Sequence, residues 1–109
     1  MKTILRFSLV LAVCLPFAAF AVGAADSPDG AALFKQNCSM CHGADGKGFA
    51  ALKTPDFTDP KWQASKTDKE IASTVKNGKQ GTMMQAFGNK LKDDEIDALV
   101  KQIRSLKKQ

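Results

Sequence analysis

Apolar positions recur at helical spacing in three stretches of this chain, and the segments between them have no regular period. In "GAALFKQNC", Leu33, Phe34, Asn37 and Cys38 fall on one helical face, which predicts a helix over about 29–40 with Ser27 or Asp29 as its cap. "TDKEIASTVKNG" carries Thr67 and Glu70 in capping-box spacing. Ile71, Thr74 and Val75 form its inward stripe, and Gly78 is placed to end it. The last helix is expected over 93–106, with Ile96, Leu99, Val100, Ile103 and Leu106 on its apolar face. Its acidic residues, Asp93, Asp94, Glu95 and Asp97, precede its basic ones, Lys101, Arg104, Lys107 and Lys108. That order suits the helix dipole.

Two irregular segments separate these helices. "HGADGKGFAALKTPDFTDP" holds three glycines and two prolines, so residues 43–60 read as a long loop. Loops of that length in small domains are usually functional. Trp62 at its end begins a short helical turn. The second segment, "KQGTMMQAFGNK", carries Met83 and Met84. No stretch alternates like a strand, so the fold class is all-α, with three to four helices in one domain.

The amino terminus follows a different rule. Lys2 and Arg6 precede an uncharged run from Phe7 to Ala25 that ends in small residues. This is the pattern of a secretory signal, residues 1–24, with cleavage after 21, 24 or 25. The remaining domain, 25–109, is then expected in the periplasm. An uncleaved membrane anchor is the alternative, but Pro16 and the small-residue end favour cleavage. Cys14 after "LAV" faintly resembles a lipoprotein processing site, although Val13 is bulky for it.

Charge excludes one class of function. Removing residues 1–24 leaves 85 residues with 14 basic and 11 acidic side chains, a formal charge of +3. So mild a balance gives no case for nucleic-acid binding. Size adds a second constraint. A chain this short is marginally stable without staples or an internal cofactor. Only Cys38 and Cys41 remain as cysteines after the signal. A disulfide between residues three apart closes too small a loop to join distant elements.

"NCSMCHG" is therefore the candidate site. A thioredoxin-like redox pair would sit in a βαβ pattern, which is missing here. A zinc site needs four ligands, whereas Cys38, Cys41 and His42 supply three and no second histidine exists. A small disulfide leaves His42 without a role. Covalent haem c uses all three residues: the two thiols as thioethers and the histidine as an iron ligand. Because His42 is the only histidine, the opposite ligand within the chain would be methionine, lysine, or an open or water-filled position. Methionine there favours the reduced iron. Met83 and Met84 are candidates, and filling out the core is their alternative role.

Over 29–106 the chain resembles small bacterial class I c-type cytochromes, which carry one haem with His/Met ligation. The resemblance runs through "GAALFKQNCSMCHGADGKG", a proline loop, "NGKQGTMMQAFGNKL" and a terminal amphipathic helix. It implies a cytochrome c-like fold packed around one covalently bound haem c. The family's sixth ligand lies in a Met-Pro-Ala-Phe-Gly segment, matched by "MQAFG" from Met84 to Gly88. Met84 is thus the implied ligand and Met83 the neighbouring alternative, with Gln85 standing where proline is usual.

The resemblance also implies softer roles. Pro55 is similar to the proline whose carbonyl accepts a hydrogen bond from the ligating histidine, and Trp62 to an aromatic near the haem propionates. Turn formation and hydrophobic cover are their ordinary alternatives. Gly30 and Phe34 resemble the face that crosses the last helix. Lys92 stands where serine often caps that helix, so Asp93 is expected to cap instead. Gln102 replaces a common aromatic.

The implied function is a non-enzymatic, periplasmic carrier passing single electrons between redox proteins. Its alternatives are a haem-bearing subunit of a larger oxidoreductase and a ligand-binding module with a labile sixth position. Donor and acceptor would be redox proteins, such as a membrane-bound oxidase or a periplasmic dehydrogenase, met by transient docking. Lys47, Lys53, Lys79 and Lys90 lie in the loops expected around the haem and would steer an acidic partner.

Overall fold

The computed structural model describes residues 26–109, so the expected export signal lies outside the described residues. Five α-helices follow in order: α1 Gly30–Asn37, α2 Ser39–His42, α3 Pro60–Ser65, α4 Asp68–Asn77 and α5 Asp93–Ser105. A 3₁₀ turn at Ala50–Leu52 interrupts the first long loop. Among the described residues there is no strand, in line with the all-α expectation.

The first helix differs from its sequence reading. It breaks at Cys38 and resumes as α2. The Asn37 side-chain amide donates to the Leu33 carbonyl at 3.0 Å and the Ser39 hydroxyl to the Lys35 carbonyl at 2.6 Å. Side chains that compete for backbone acceptors in this way weaken helical continuity. At the other end, the Asp29 carboxylate accepts from the Ala31 and Ala32 amides.

α3 starts at Pro60, where a missing N–H costs nothing, and Asp59 caps it through the Lys61 amide. α4 has the expected capping box: the Glu70 carboxylate accepts from the Thr67 amide at 2.7 Å and the Thr67 hydroxyl from the Glu70 amide at 3.2 Å. Gly78 closes that helix.

The start of α5 corrects an expectation. Asp93 does not cap it; Lys92 holds the cap position, and its amide donates to the Glu95 carboxylate at 2.8 Å. An ammonium cannot accept a hydrogen bond, so only this half of a capping box is chemically available. Asp93 instead pairs with Lys76 at 2.7 Å.

The core is Phe34, Phe57, Ile71, Val75, Phe87, Ile96, Leu99, Val100 and Ile103. α5 is its spine and packs against both α1 and α4. Gly30 lies against the Ala98 carbonyl, with Gln102 alongside, and a side chain at position 30 would collide with that carbonyl. The expected close crossing of α1 and α5 through Gly30 and Phe34 is therefore present. Gln102, smaller than an aromatic, still reaches this contact.

α3 is locked to α5 by polar groups. Gln63, 5% exposed, donates from its amide to the Phe57 and Ile103 carbonyls at 2.7 and 2.8 Å. Arg104 on α5 donates to the Gln63 carbonyl and side-chain oxygen, to the Lys66 carbonyl and to Asp68.

Candidate functional site

The break at Cys38 creates the first wall of the site. The Cys41 and His42 amides both donate to the Cys38 carbonyl, at 3.2 and 2.9 Å. One turn of backbone thus carries both thiols and the imidazole, as the sequence spacing suggests. Gly43, at φ 78°, then turns the chain away. Both thiols are free; Cys38 is half-buried and Cys41 exposed. Burial, with neighbouring Cys41 adding to it, pushes the Cys38 thiol up to about 11. Among the described residues no three His, Cys, Asp or Glu side chains converge to hold a metal ion.

His42 is half-buried, and burial moves its pKa below the ordinary imidazole value. Its ring stacks on Phe57 with centroids 4.7 Å apart and planes 21° from parallel. The Nδ1 atom is buried and has no hydrogen-bond partner. In this structure Nδ1 does not pair with the Pro55 carbonyl, the acceptor that the resemblance implies for a ligating histidine. That carbonyl faces Gly48, where an added Cβ would come within 2.7 Å of it. Trp62 packs against Phe57 with centroids 4.6 Å apart.

The facing wall comes from α4 and the methionine segment. Gly78 has φ 73°, and a Cβ there would meet the Met84 carbonyl at 2.8 Å and the Ala86 nitrogen at 2.9 Å. Glycine therefore serves twice, for the left-handed turn and for close backbone approach. The Lys79 amide donates to the Met84 carbonyl at 3.0 Å, and the Phe87 and Gly88 amides donate to Val75 and Lys76. These bonds press the segment onto the end of α4 although Gln85 replaces proline. Met84 is half-buried against the core, whereas Met83 is 81% exposed.

Between the walls lies a cavity of about 320 Å³ bordered by both cysteines, His42, both methionines, Pro55 and Trp62. Ile71, Val75, Phe34 and Phe87 make its interior largely apolar. The donor set fits haem c: paired thiols beside an imidazole on one wall, a thioether on the other, and a buried ring nitrogen left unpaired. Lys53 and Lys79 lie at the cavity as expected, and Lys66 joins them. Lys47 does not border it and pairs loosely with Asp45 at 4.0 Å. Lys90 lies over the Phe87 ring, 5.7 Å from its centroid.

Sequence reasoning missed Phe57 and Gln63. Neither lies in a periodic stretch; the one available signal was an apolar residue alone among prolines, aspartates and threonines in "TPDFTDP".

A family model for cytochrome c oxidase, cbb3-type, subunit III matches residues 25–103. The chain belongs to this family. Among its curated relatives, the cbb3-type cytochrome c oxidase subunit FixP of Azorhizobium caulinodans is 36% identical over 77 residues, 71% of this chain and 26% of that protein. Subunit CcoP of Rhodobacter capsulatus is 32% identical over 83 residues, 71% of this chain and 28% of that protein. The chain thus spans about a quarter of the length of these relatives. Among solved structures, the KustC0563 c-type cytochrome superposes with a TM-score of 0.69 at 37% identity, covering 73% of this chain and 99% of that one. Cytochrome cL from Hyphomicrobium denitrificans gives 0.63 at 31% identity over 75% of this chain and 48% of that one. This family member has the cytochrome c-like fold, and its family role is electron transport with haem rather than catalysis.

Proposed function

We propose that this chain carries one covalently bound haem c in the periplasm and passes single electrons as a haem-bearing partner of a membrane oxidase. The observation that carries the reading is the single turn holding Cys38, Cys41 and His42 across a cavity from Met84. Haem c supplies reversible one-electron iron chemistry when bound. The chain's own residues then have separable tasks. Cys38 and Cys41 hold the group by thioethers, and His42 and Met84 ligate from the two walls. Half-burial of Met84 favours it over exposed Met83. Apolar Ile71, Val75 and Phe87 exclude water, while Pro55 and Trp62 close the histidine side. Two side-chain ligands leave no position for a substrate, which suits transfer without bond chemistry.

Family membership supports action with an oxidase. An independent soluble carrier is the second reading, favoured by the full-length match to a small c-type cytochrome. Among the described residues no helix is long and apolar enough to cross a membrane. Lys53, Lys66 and Lys79 at the cavity would guide an acidic partner surface in either case.

The decisive test is acid denaturation of the exported protein followed by organic extraction. The haem is expected to stay with the polypeptide; complete extraction would refute covalent attachment. Met84→Ala is expected to abolish the near-infrared sulfur-to-iron band. Retention of that band would move the ligand to Met83. Stable stoichiometric co-purification with an oxidase separates the subunit reading from the free carrier.

A further inference from the structure

We propose that Thr82 is a positioning residue for Met84, an inference that rests on the haem c reading above: its hydroxyl clamps the methionine segment where a proline ring would otherwise stiffen it. A ligand on an irregular segment stays in place only as far as its backbone is held, and this segment has little else to hold it. Thr82, Met83, Gln85 and Ala86 are exposed, and a Cβ added at Gly81 would meet no atom within 4 Å. The Gln85 and Ala86 amides find no acceptor among the described residues. A proline at position 85 would fix one backbone angle there, whereas glutamine fixes none.

Thr82 supplies a restraint from the other side of Met84. Its hydroxyl donates to the Lys79 carbonyl at 2.7 Å and accepts from the Met84 amide at 3.2 Å. Its own amide donates to the same Lys79 carbonyl at 3.2 Å. The Lys79 amide in turn donates to the Met84 carbonyl at 3.0 Å. The amide and the carbonyl of Met84 are thereby both tied to one turn, which begins where Gly78 closes α4. Of these two ties, the one on the amide depends on a side chain, as local bonds from threonine to backbone often do. Valine has nearly the shape of threonine without the hydroxyl; at position 82 it would free the Met84 amide and loosen the turn at Lys79. Thr82 borders the same cavity as Met84 and lies outside the core, so the clamp acts on the ligand's segment.

Added imidazole reads the clamp. It competes for the position that Met84 holds, and at high imidazole the observed binding rate levels off at the rate at which the thioether departs. The ferric holoprotein would be prepared as wild type, Thr82→Val, Thr82→Ser, Gln85→Pro, the double variant Thr82→Val with Gln85→Pro, and Leu99→Ala. A denaturing gel stained for haem first establishes attachment in each. Thr82→Val is expected to raise the plateau rate about three- to tenfold, the reach of one net hydrogen bond, while keeping the near-infrared sulfur-to-iron band. Thr82→Ser, which keeps the hydroxyl, is expected to hold the wild-type rate. Gln85→Pro is expected to slow departure more in the Thr82→Val background than in wild type, because there the ring replaces a restraint that has been removed. Leu99→Ala destabilises the core away from the cavity and is expected to leave the plateau unchanged. A wild-type plateau in Thr82→Val would overturn the proposal, as would a Thr82→Ser rate equal to that of Thr82→Val. Equal effects of Gln85→Pro in both backgrounds, or a comparable rise in Leu99→Ala, would overturn it as well. Retention of the sulfur-to-iron band in Met84→Ala, or loss of haem from denatured wild type, would instead refute the reading on which it stands.

Discussion

The junction of α3 with α5 and the wall that carries His42 lie on either side of Phe57, and they are built on opposite rules. At the junction, buried polar groups are satisfied within the chain. Gln63 bonds two backbone carbonyls and receives Arg104, which also reaches Lys66 and Asp68. At the wall, a buried imidazole nitrogen has no partner, one thiol is exposed, and the other is pushed up to about 11 by burial. Native structures leave few buried polar atoms unpaired, and those few usually have a functional cause. The contrast separates a region that serves stability from one arranged to hold something other than protein.

That division is sharpest at Leu99, which is fully buried on α5. Leu99→Ala is expected to cost about 2–5 kcal/mol, read from denaturant midpoints, because a core truncation adds a cavity to the lost transfer energy. The ligand spectrum of the molecules that remain folded should not change. A spectral shift would break the separation between the two regions.

Arg104→Met tests the polar lock itself. It strips Gln63 of a donor and frees Asp68 and two backbone carbonyls, so a loss of about 1–3 kcal/mol is expected. Wild-type stability in chemical denaturation would show that Gln63 alone suffices to hold α3.

The smallest effect concerns acid. Hydrogen bonds from the Thr58 hydroxyl and amide hold the Asp56 carboxyl below the ordinary 3.8. Those from the Thr67 amide and hydroxyl hold Glu70 below 4.5. Carboxylates with depressed folded pKa values contribute stability above their unfolded values and lose it as pH falls through the folded ones. Thr58→Val removes the stronger bond to Asp56. It should lower Tm slightly at neutral pH, where the stabilisation is present, and change it little below the folded pKa, so that the fall in Tm from neutral pH to well below 3.8 flattens. An unchanged acid slope would discard the Thr58–Asp56 pair as a source of acid sensitivity.

Legibility in the sequence followed periodicity. The α4 capping box and the apolar face of α5 were readable because local rules decide them. The first helix was read too long because side-chain competition near Cys38 leaves no mark in apolar spacing. Asp93 was expected to cap α5 because it is a good capping residue; its bond to Lys76, far away in sequence, shows why a local rule failed. Lys47 and Lys90 were expected around the site because they are loop lysines; neither borders the cavity itself, Lys47 lying beside Asp45 and Lys90 over the ring of cavity-lining Phe87.

What the sequence determined by itself was the chemistry of one turn and the registers of the main helices. Covalent spacing puts Cys38, Cys41 and His42 within one helical repeat, and apolar periodicity needs no distant contact to be seen. Only the tertiary structure decided that Phe57 would stack on His42, that Met84 rather than Met83 would sit half-buried, and that Gln63 and Arg104 would lock α3 to α5. The physical reason is range. Loop residues obey no period, and their positions follow from glycine-permitted backbone approaches, as at Gly78, and from hydrogen bonds to partners up to 41 residues away.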